Sequence, residues 1–125
     1  MTFMESPHKG KTGLRRLWNA VHYSLDGFRA AYTHEDAFRQ EIKLAIVLLP
    51  LGFYLGKNGV ERALLVASVL LVLVIELLNS SVEAAVDRIS LDNHRLAKRA
   101  KDTGSAAVLT SLIMLALVWG FVLLS

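Results

Sequence analysis

The sequence predicts an all-α membrane protein, with an amphipathic surface helix followed by three membrane-crossing helices. Apolar residues make up 54% of the 125-residue chain, and they gather in runs with a positive mean hydropathy, which is the composition of an integral membrane protein. Short polar or charged segments separate those runs. Ahead of the first run, apolar and basic residues recur at helical spacing instead of forming a continuous block, the pattern of a helix lying in the interface plane. At this length a single domain covering 1–125 is expected.

The elements follow in order. Residues 1–12, MTFMESPHKGKT, are expected to be flexible, because Pro7 and Gly10 break structure and Lys9 and Lys11 belong near acidic lipid. From there the apolar side chains fall at Leu14, Leu17, Trp18, Val21, Leu25 and Phe28, opposite Arg15, Arg16, Asn19, His22, Asp26 and Arg29. This gives a surface helix over 13–32; a packed helix of a soluble domain would share the pattern, but the apolar runs that follow favour the membrane. THEDAFRQE (33–41) reads as a charged connector in which Thr33 or His34 begins the next helix and Glu35 and Asp36 suit its positive end. The first crossing is set at 36–56. Its apolar run from Ile42 reaches spanning length only when extended back through Phe38, with Lys43 snorkelling or facing protein and Pro50 permitting a kink. GKNG (56–59) is a tight turn that sends the second crossing, 60–88, back antiparallel. ISLDNHRLAKRAKD (89–102) reads as a polar connector, and 103–124 as the third crossing with Trp119 as an interfacial anchor.

Basic residues concentrate in the N-terminal region and in the second connector, so the positive-inside rule sets both in the cytoplasm and the C-terminus on the far side. The formal charge of +3 is small, and its placement beside apolar runs suits lipid headgroups or nucleotide phosphates, not a nucleic-acid duplex. The absence of cysteine excludes disulfides, thiolate nucleophiles and cysteine metal sites. No continuous apolar h-region of a secretory signal stands in the first forty residues.

One stretch conflicts with its surroundings. ELLNSSVEAAVDR (76–88) carries Glu76, Asn79, Glu83 and Asp87 at i, i+3, i+7 and i+11, a single narrow helix face. An ionisable group at membrane depth costs roughly 2.5–3.5 kcal/mol, so such a stripe faces a bundle interior, a partner or water. Alternatively it is the wet end of a helix leaving the membrane, a description that fits Asp87 better than Glu76. Glu76 and Glu83 lie about 10 Å apart along the helix, too far to share one ion. A Mg²⁺ site using Glu83 must therefore recruit a carboxylate from elsewhere, and Glu35, on the same side of the membrane, is the candidate. Glu76, deeper and less solvated, suits a general base or acid, and Asn79 could hold either carboxylate. No P-loop, protein-kinase, zinc-protease or nucleophile-elbow motif is present. On residue chemistry alone an ion-conducting bundle and an interfacial enzyme stand equal.

At AFRQE (37–41), ELLNSSVEAAVDR (76–88) and RAKDTGSAAV (99–108) the sequence resembles the bacterial membrane-integral diacylglycerol kinases, and GFRAAYTHEDAFRQE is similar to that family's segment from surface helix to first span. The resemblance covers nearly all of 13–124. It implies a homotrimer with composite sites at subunit interfaces, in the bacterial inner membrane, phosphorylating diacylglycerol to phosphatidate with ATP and Mg²⁺. By position it implies that Glu76 is the catalytic base, that Glu35 and Glu83 bind the metal and that Asn79 supports catalysis. Lys101 and Asp102 match nucleotide-contacting positions. Arg16 and Tyr23 match positions contacting nucleotide or lipid, and Asp92, Asn93 and His94 occupy the nucleotide-facing loop, where Asn93 stands in place of the family's aromatic residue. Glu41 and Ser105 match positions near the lipid and the membrane surface. Glu76 would then take the proton of the lipid's primary hydroxyl as it attacks the γ-phosphate.

Plainer roles weigh beside these. The four histidines are scattered over different elements, Gly104 to Ala107 suit close helix packing as well as substrate contact, and Arg95, Lys98 and Arg99 suit leaflet anchoring. A polyprenol such as undecaprenol, the acceptor of a sister branch, is the alternative substrate. A proton or cation relay through Glu76, Glu83 and Asp87 is the alternative function, although it gives no role to Glu35 or RAKD.

Overall fold

The computed structural model describes residues 13–89 and 94–125, and among these it contains four α-helices and no strand. They are α1 (Gly13–His34), α2 (Asp36–Leu55), α3 (Gly59–Ile89) and α4 (His94–Leu124). The stretch 1–12, expected to be flexible, lies outside the described residues. Two helices, α3 and the segment Arg95–Leu124 of α4, are long and apolar enough to cross a membrane. α2 is charged at Asp36, Arg39, Glu41 and Lys43 and apolar beyond them, and Pro50 sits inside it without ending the helix.

Within the charged segment 33–41 the second helix begins at Asp36, where the first crossing was expected to start, and α1 runs two residues beyond its expected end at 32. α1 continues to His34, and the only non-helical residue before α2 is Glu35, with φ −118° and ψ 111°. The Glu35 N–H still donates to Ala31 O at 2.9 Å, so the ladder of α1 runs up to the break. The charged start of α2 is helical because glutamate, glutamine and arginine are good helix formers. Across the break Arg39 donates to the carbonyls of Tyr32 (2.6 Å) and Thr33 (3.0 Å), two of the orphan acceptors at the end of α1.

The GKNG turn forms as expected and is capped from both sides. Asn58 precedes α3, and its Oδ1 accepts the N–H of Glu61 at 2.9 Å. The Glu61 carboxylate in turn accepts the N–H of Lys57 at 2.9 Å, so the pair reciprocally satisfies donors at the helix start. Arg62 reaches back from α3 to donate to Phe53 O near the end of α2 at 3.1 Å. Gly56 has an ordinary φ of −64°, but a Cβ there would stand 2.5 Å from Arg62 Cγ, so close approach is what selects glycine.

α3 is the central element, packed against α4 and α2, with α1 touching α2 and α3. Its buried residues are Leu65, Ser68, Val69, Val72 and Glu76, spaced at one face of a helix. Ala45, Val69, Val72 and Leu115 form the core, with Leu48, Leu112 and Trp119 packed on it. Trp119 differs from the anchor expected at the membrane surface. Its indole N–H points inward, to Ser68 Oγ at 3.1 Å and Leu65 O at 3.2 Å, because a membrane helix pair lacks a hydrophobic drive and gains from hydrogen bonds and packing instead.

α4 also begins earlier than expected. Most of the connector read at 89–102 is helix from His94 onward. Leu96, Ala97 and Ala100 favour that state, and Lys98 and Asp102 pair at 2.5 Å one turn apart. The outward stripe of α1 is exposed: Leu14, Leu17 and Trp18 keep 84%, 61% and 63% of their surface, so the bundle itself does not cover that face. Trp119→Phe, which removes the inward donor, is expected to lower stability by about 1 kcal/mol in detergent unfolding curves, whereas Trp18→Phe on the open stripe changes them little.

Candidate functional site

The apolar packing face of α3 runs directly into its polar one. Leu65, Val69 and Val72 lead to Glu76, and the Glu76 carboxyl, at the same face, keeps only 2% of its surface. Its side-chain neighbours are Glu41 of α2 and Asn79 one turn on, and it feels the charge of Glu35. Burial falls off along the stripe: Asn79 and Glu83 are half-buried and the Asp87 side chain is 64% exposed. Three buried polar atoms here have no hydrogen-bond partner, namely Glu76 Oε2, Asn79 Oδ1 and Ser80 Oγ. Each such atom ordinarily costs about 1–3 kcal/mol, so their gathering within two turns is spare bonding capacity concentrated at one place.

α4 closes tightly over Asn79. A Cβ on Gly104 would collide with Asn79 Oδ1, so the glycine is what lets the two helices approach there. Of the small residues 104–107 in α4, Gly104 thus serves packing, while Ser105 beside it is exposed.

Glu35, at the α1–α2 break, and Glu83, on α3, are close enough for their charges to act on each other. Glu83 also feels the charges of Lys101, Glu76 and Asp87. Glu35 has an extended backbone at the α1–α2 break and no side-chain cap hydrogen bond. A cleft of about 490 Å³ opens between α1 and α3, and Phe28, Ala31, Leu77 and Ala84 give it apolar walls. Ser24, His34, Glu35 and Ser80 supply its polar edge. Among the described residues no group of three or more His, Asp or Glu side chains gathers as a ready-made cage. One or two carboxylates are nevertheless the usual protein contribution to a Mg²⁺ that also binds phosphates.

Lys101, matched to a nucleotide-contacting position, and Asp87, whose role was open from sequence, form an ion pair of 2.7 Å that joins α4 to α3. At 47% and 64% exposure such a pair contributes little, about 0–1 kcal/mol. Asp102 pairs with Lys98, and Arg16 and Tyr23 stand on the exposed surface of α1. Asp92 and Asn93 lie outside the described residues, and of His94 only the backbone is described. Sequence reasoning passed over Ser80 and Arg39. Ser80 follows Asn79 in the polar segment, so its place was open to inspection, whereas the helix-end contacts of Arg39 could be found only by locating the break at Glu35.

A family model described as prokaryotic diacylglycerol kinase matches residues 22–123. A protein named diacylglycerol kinase from Pseudomonas aeruginosa is 52% identical over 119 residues, covering 95% of this chain and 97% of the relative. Its namesake in Haemophilus influenzae is 50% identical, with 90% and 95% covered. The Escherichia coli K12 protein of the same name is 44% identical, with 91% and 93% covered.

Gly104→Ala drives a methyl group into Asn79 and is expected to cost about 1–3 kcal/mol, the usual penalty of overpacking. Adding Asn79→Ala removes the colliding atom and restores at least half of that loss, a coupling that a double-mutant cycle of unfolding measures directly.

Proposed function

The chain belongs to the prokaryotic diacylglycerol kinase family, and from that premise we propose that it transfers the γ-phosphoryl group of ATP to the hydroxyl of diacylglycerol at the membrane surface, giving phosphatidate and ADP. One observation carries most of this assignment to particular residues: a buried carboxyl with an unpartnered oxygen, Glu76, lies on the same helix face as the more open Glu83, and Glu35 lines the cleft beside that helix. A lipid hydroxyl and a charged nucleotide need such different depths.

In this mechanism the acyl chains stay in hydrocarbon and the glycerol end enters along the apolar cleft between α1 and α3. Glu76 accepts the hydroxyl proton as that oxygen attacks the γ-phosphorus in line, and the bond to the ADP oxygen breaks on the opposite side. Asn79 and Glu41 hold the Glu76 carboxyl in place. Lys101 exchanges its weak partner Asp87 for phosphate oxygens, where a point charge is worth more. Glu35 and Glu83 would hold Mg²⁺, which when bound neutralises charge on the phosphates. Asp102, Arg16, Tyr23 and the 92–94 segment complete the nucleotide side, and Arg16, Glu41 and Ser105 the lipid side.

α2 is the remaining membrane crossing in this proposal, its exposed Lys43 snorkelling to the interface. The N-terminus and the site face the cytoplasm of a bacterial inner membrane, as the distribution of basic residues supports. The protein works as a homotrimer.

ATP- and Mg²⁺-dependent phosphorylation of diacylglycerol in mixed micelles tests the assignment. Glu76→Gln is expected to lower kcat by about 10²–10⁴-fold with unfolding behaviour retained. Glu35→Gln and Glu83→Gln should each raise the Mg²⁺ concentration for half-maximal rate. Faster turnover of undecaprenol would reassign the acceptor, and no turnover of either lipid by folded protein would sink the kinase assignment.

A further inference from the structure

Arg39 sits in the AFRQE segment, yet the proposed chemistry gives it no role. Its position is unusual. One turn into α2, its Nη1 donates to Tyr32 O at 2.6 Å and Thr33 O at 3.0 Å, both in the last turn of α1 and therefore across the break. Nη2 of the same guanidinium pairs with Asp36, the first residue of α2. One side chain thus grips the backbone two and three residues before Glu35 and the residue just after it. The acceptors are carbonyls at a helix C-terminus, which carry partial negative charge and lack partners in their own helix. A planar fork of donors suits two such carbonyls better than a single ammonium would.

Glu35 needs an external hold. Its side chain makes no cap hydrogen bond, and it is the only residue between the two helices, so the direction of its carboxylate follows the angle between them. Beneath the joint, Phe28 of α1 stacks on the buried Phe38 of α2 with ring centres 6.5 Å apart. That contact keeps the helices together without fixing their rotation. We propose that Arg39 is a positioning residue, a clamp that sets the α1–α2 angle and so holds Glu35 at the cleft between α1 and α3, an inference that rests on the proposal that Glu35 and Glu83 hold a divalent cation.

Charge and position predict opposite signs. Removing a positive group near a cation site favours cation binding by Coulomb's law, whereas losing the clamp weakens it by misaligning a ligand. Mn²⁺ alone is the probe, its free concentration read by electron paramagnetic resonance against the detergent-solubilised protein. Arg39→Gln should weaken Mn²⁺ binding roughly tenfold or more, the usual cost of losing a group that orients a metal ligand. Arg39→Lys should fall between it and the wild type. Backbone amides at 33–36 should exchange faster in both variants, and Lys43→Gln, elsewhere on α2, should leave binding unchanged. Trp119→Phe controls for general loosening: it should lower the unfolding midpoint with Mn²⁺ affinity intact. If Arg39→Gln binds Mn²⁺ as well as or better than wild type while Glu35→Gln binds it poorly, the clamp is wrong and the cation proposal stands. If Glu35→Gln binds as wild type does, the cation proposal fails and takes the clamp with it. Should Arg39→Gln not fold, wild-type Mn²⁺ affinity in Arg39→Lys overturns the clamp.

Discussion

A carboxyl group on an apolar helix has to be kept from hydrocarbon, and the rest of the bundle is arranged around that necessity. Glu76 is 2% exposed in a helix whose buried positions before it are Leu65, Ser68, Val69 and Val72. Because these share a face, one docking of α3 against its neighbours both builds the core and encloses the carboxyl. The cost of leaving an ion at membrane depth therefore reinforces the packing: a rotation of α3 that exposed Glu76 to lipid would also break up the core.

The helix joints follow a common rule. At each of the two described joints an arginine from the following helix donates to carbonyls at the end of the preceding one, Arg39 to Tyr32 and Thr33 and Arg62 to Phe53. Membrane helices cannot leave terminal acceptors to be satisfied by chance at low water activity. Where α3 and α4 meet, the device is different. Gly104 lets α4 close over Asn79 near one end of the contact, and the Trp119 indole bonds to Ser68 and Leu65 near the other. Between them they fix the register of the longest helix pair at two separated points.

Much of this was legible in the sequence and the remainder has identifiable causes. Apolar runs and the GKNG turn marked the helices, and the i, i+3, i+7 spacing marked the polar face, because both follow from helical geometry and the cost of burying charge. The motifs carried the family, which the relatives bear out. Residues 94–102 lie in α4 although 89–102 was expected to be a connector, because polarity is no mark of irregularity and Lys and Arg support helix on a wet surface. Trp119 was read as an anchor because a tryptophan near a span end has two uses, and only the position of Ser68 on the neighbouring helix decides between them. Arg39 was hidden for a related reason: its partners are backbone atoms, which have no side-chain pattern to read.

With one residue between α1 and α2, the two helices are locked in phase. Adding or deleting a residue at the joint would turn α1 by about 100° and shift it about 1.5 Å along its axis relative to α2. The basic face of α1 would then rotate toward the apolar side, while Glu35 or its replacement would swing away from α3. Length variation at this point is therefore closed to the protein, unlike most interhelical loops. Which side of the surface helix is wet is a consequence of the way α2 is seated in the bundle.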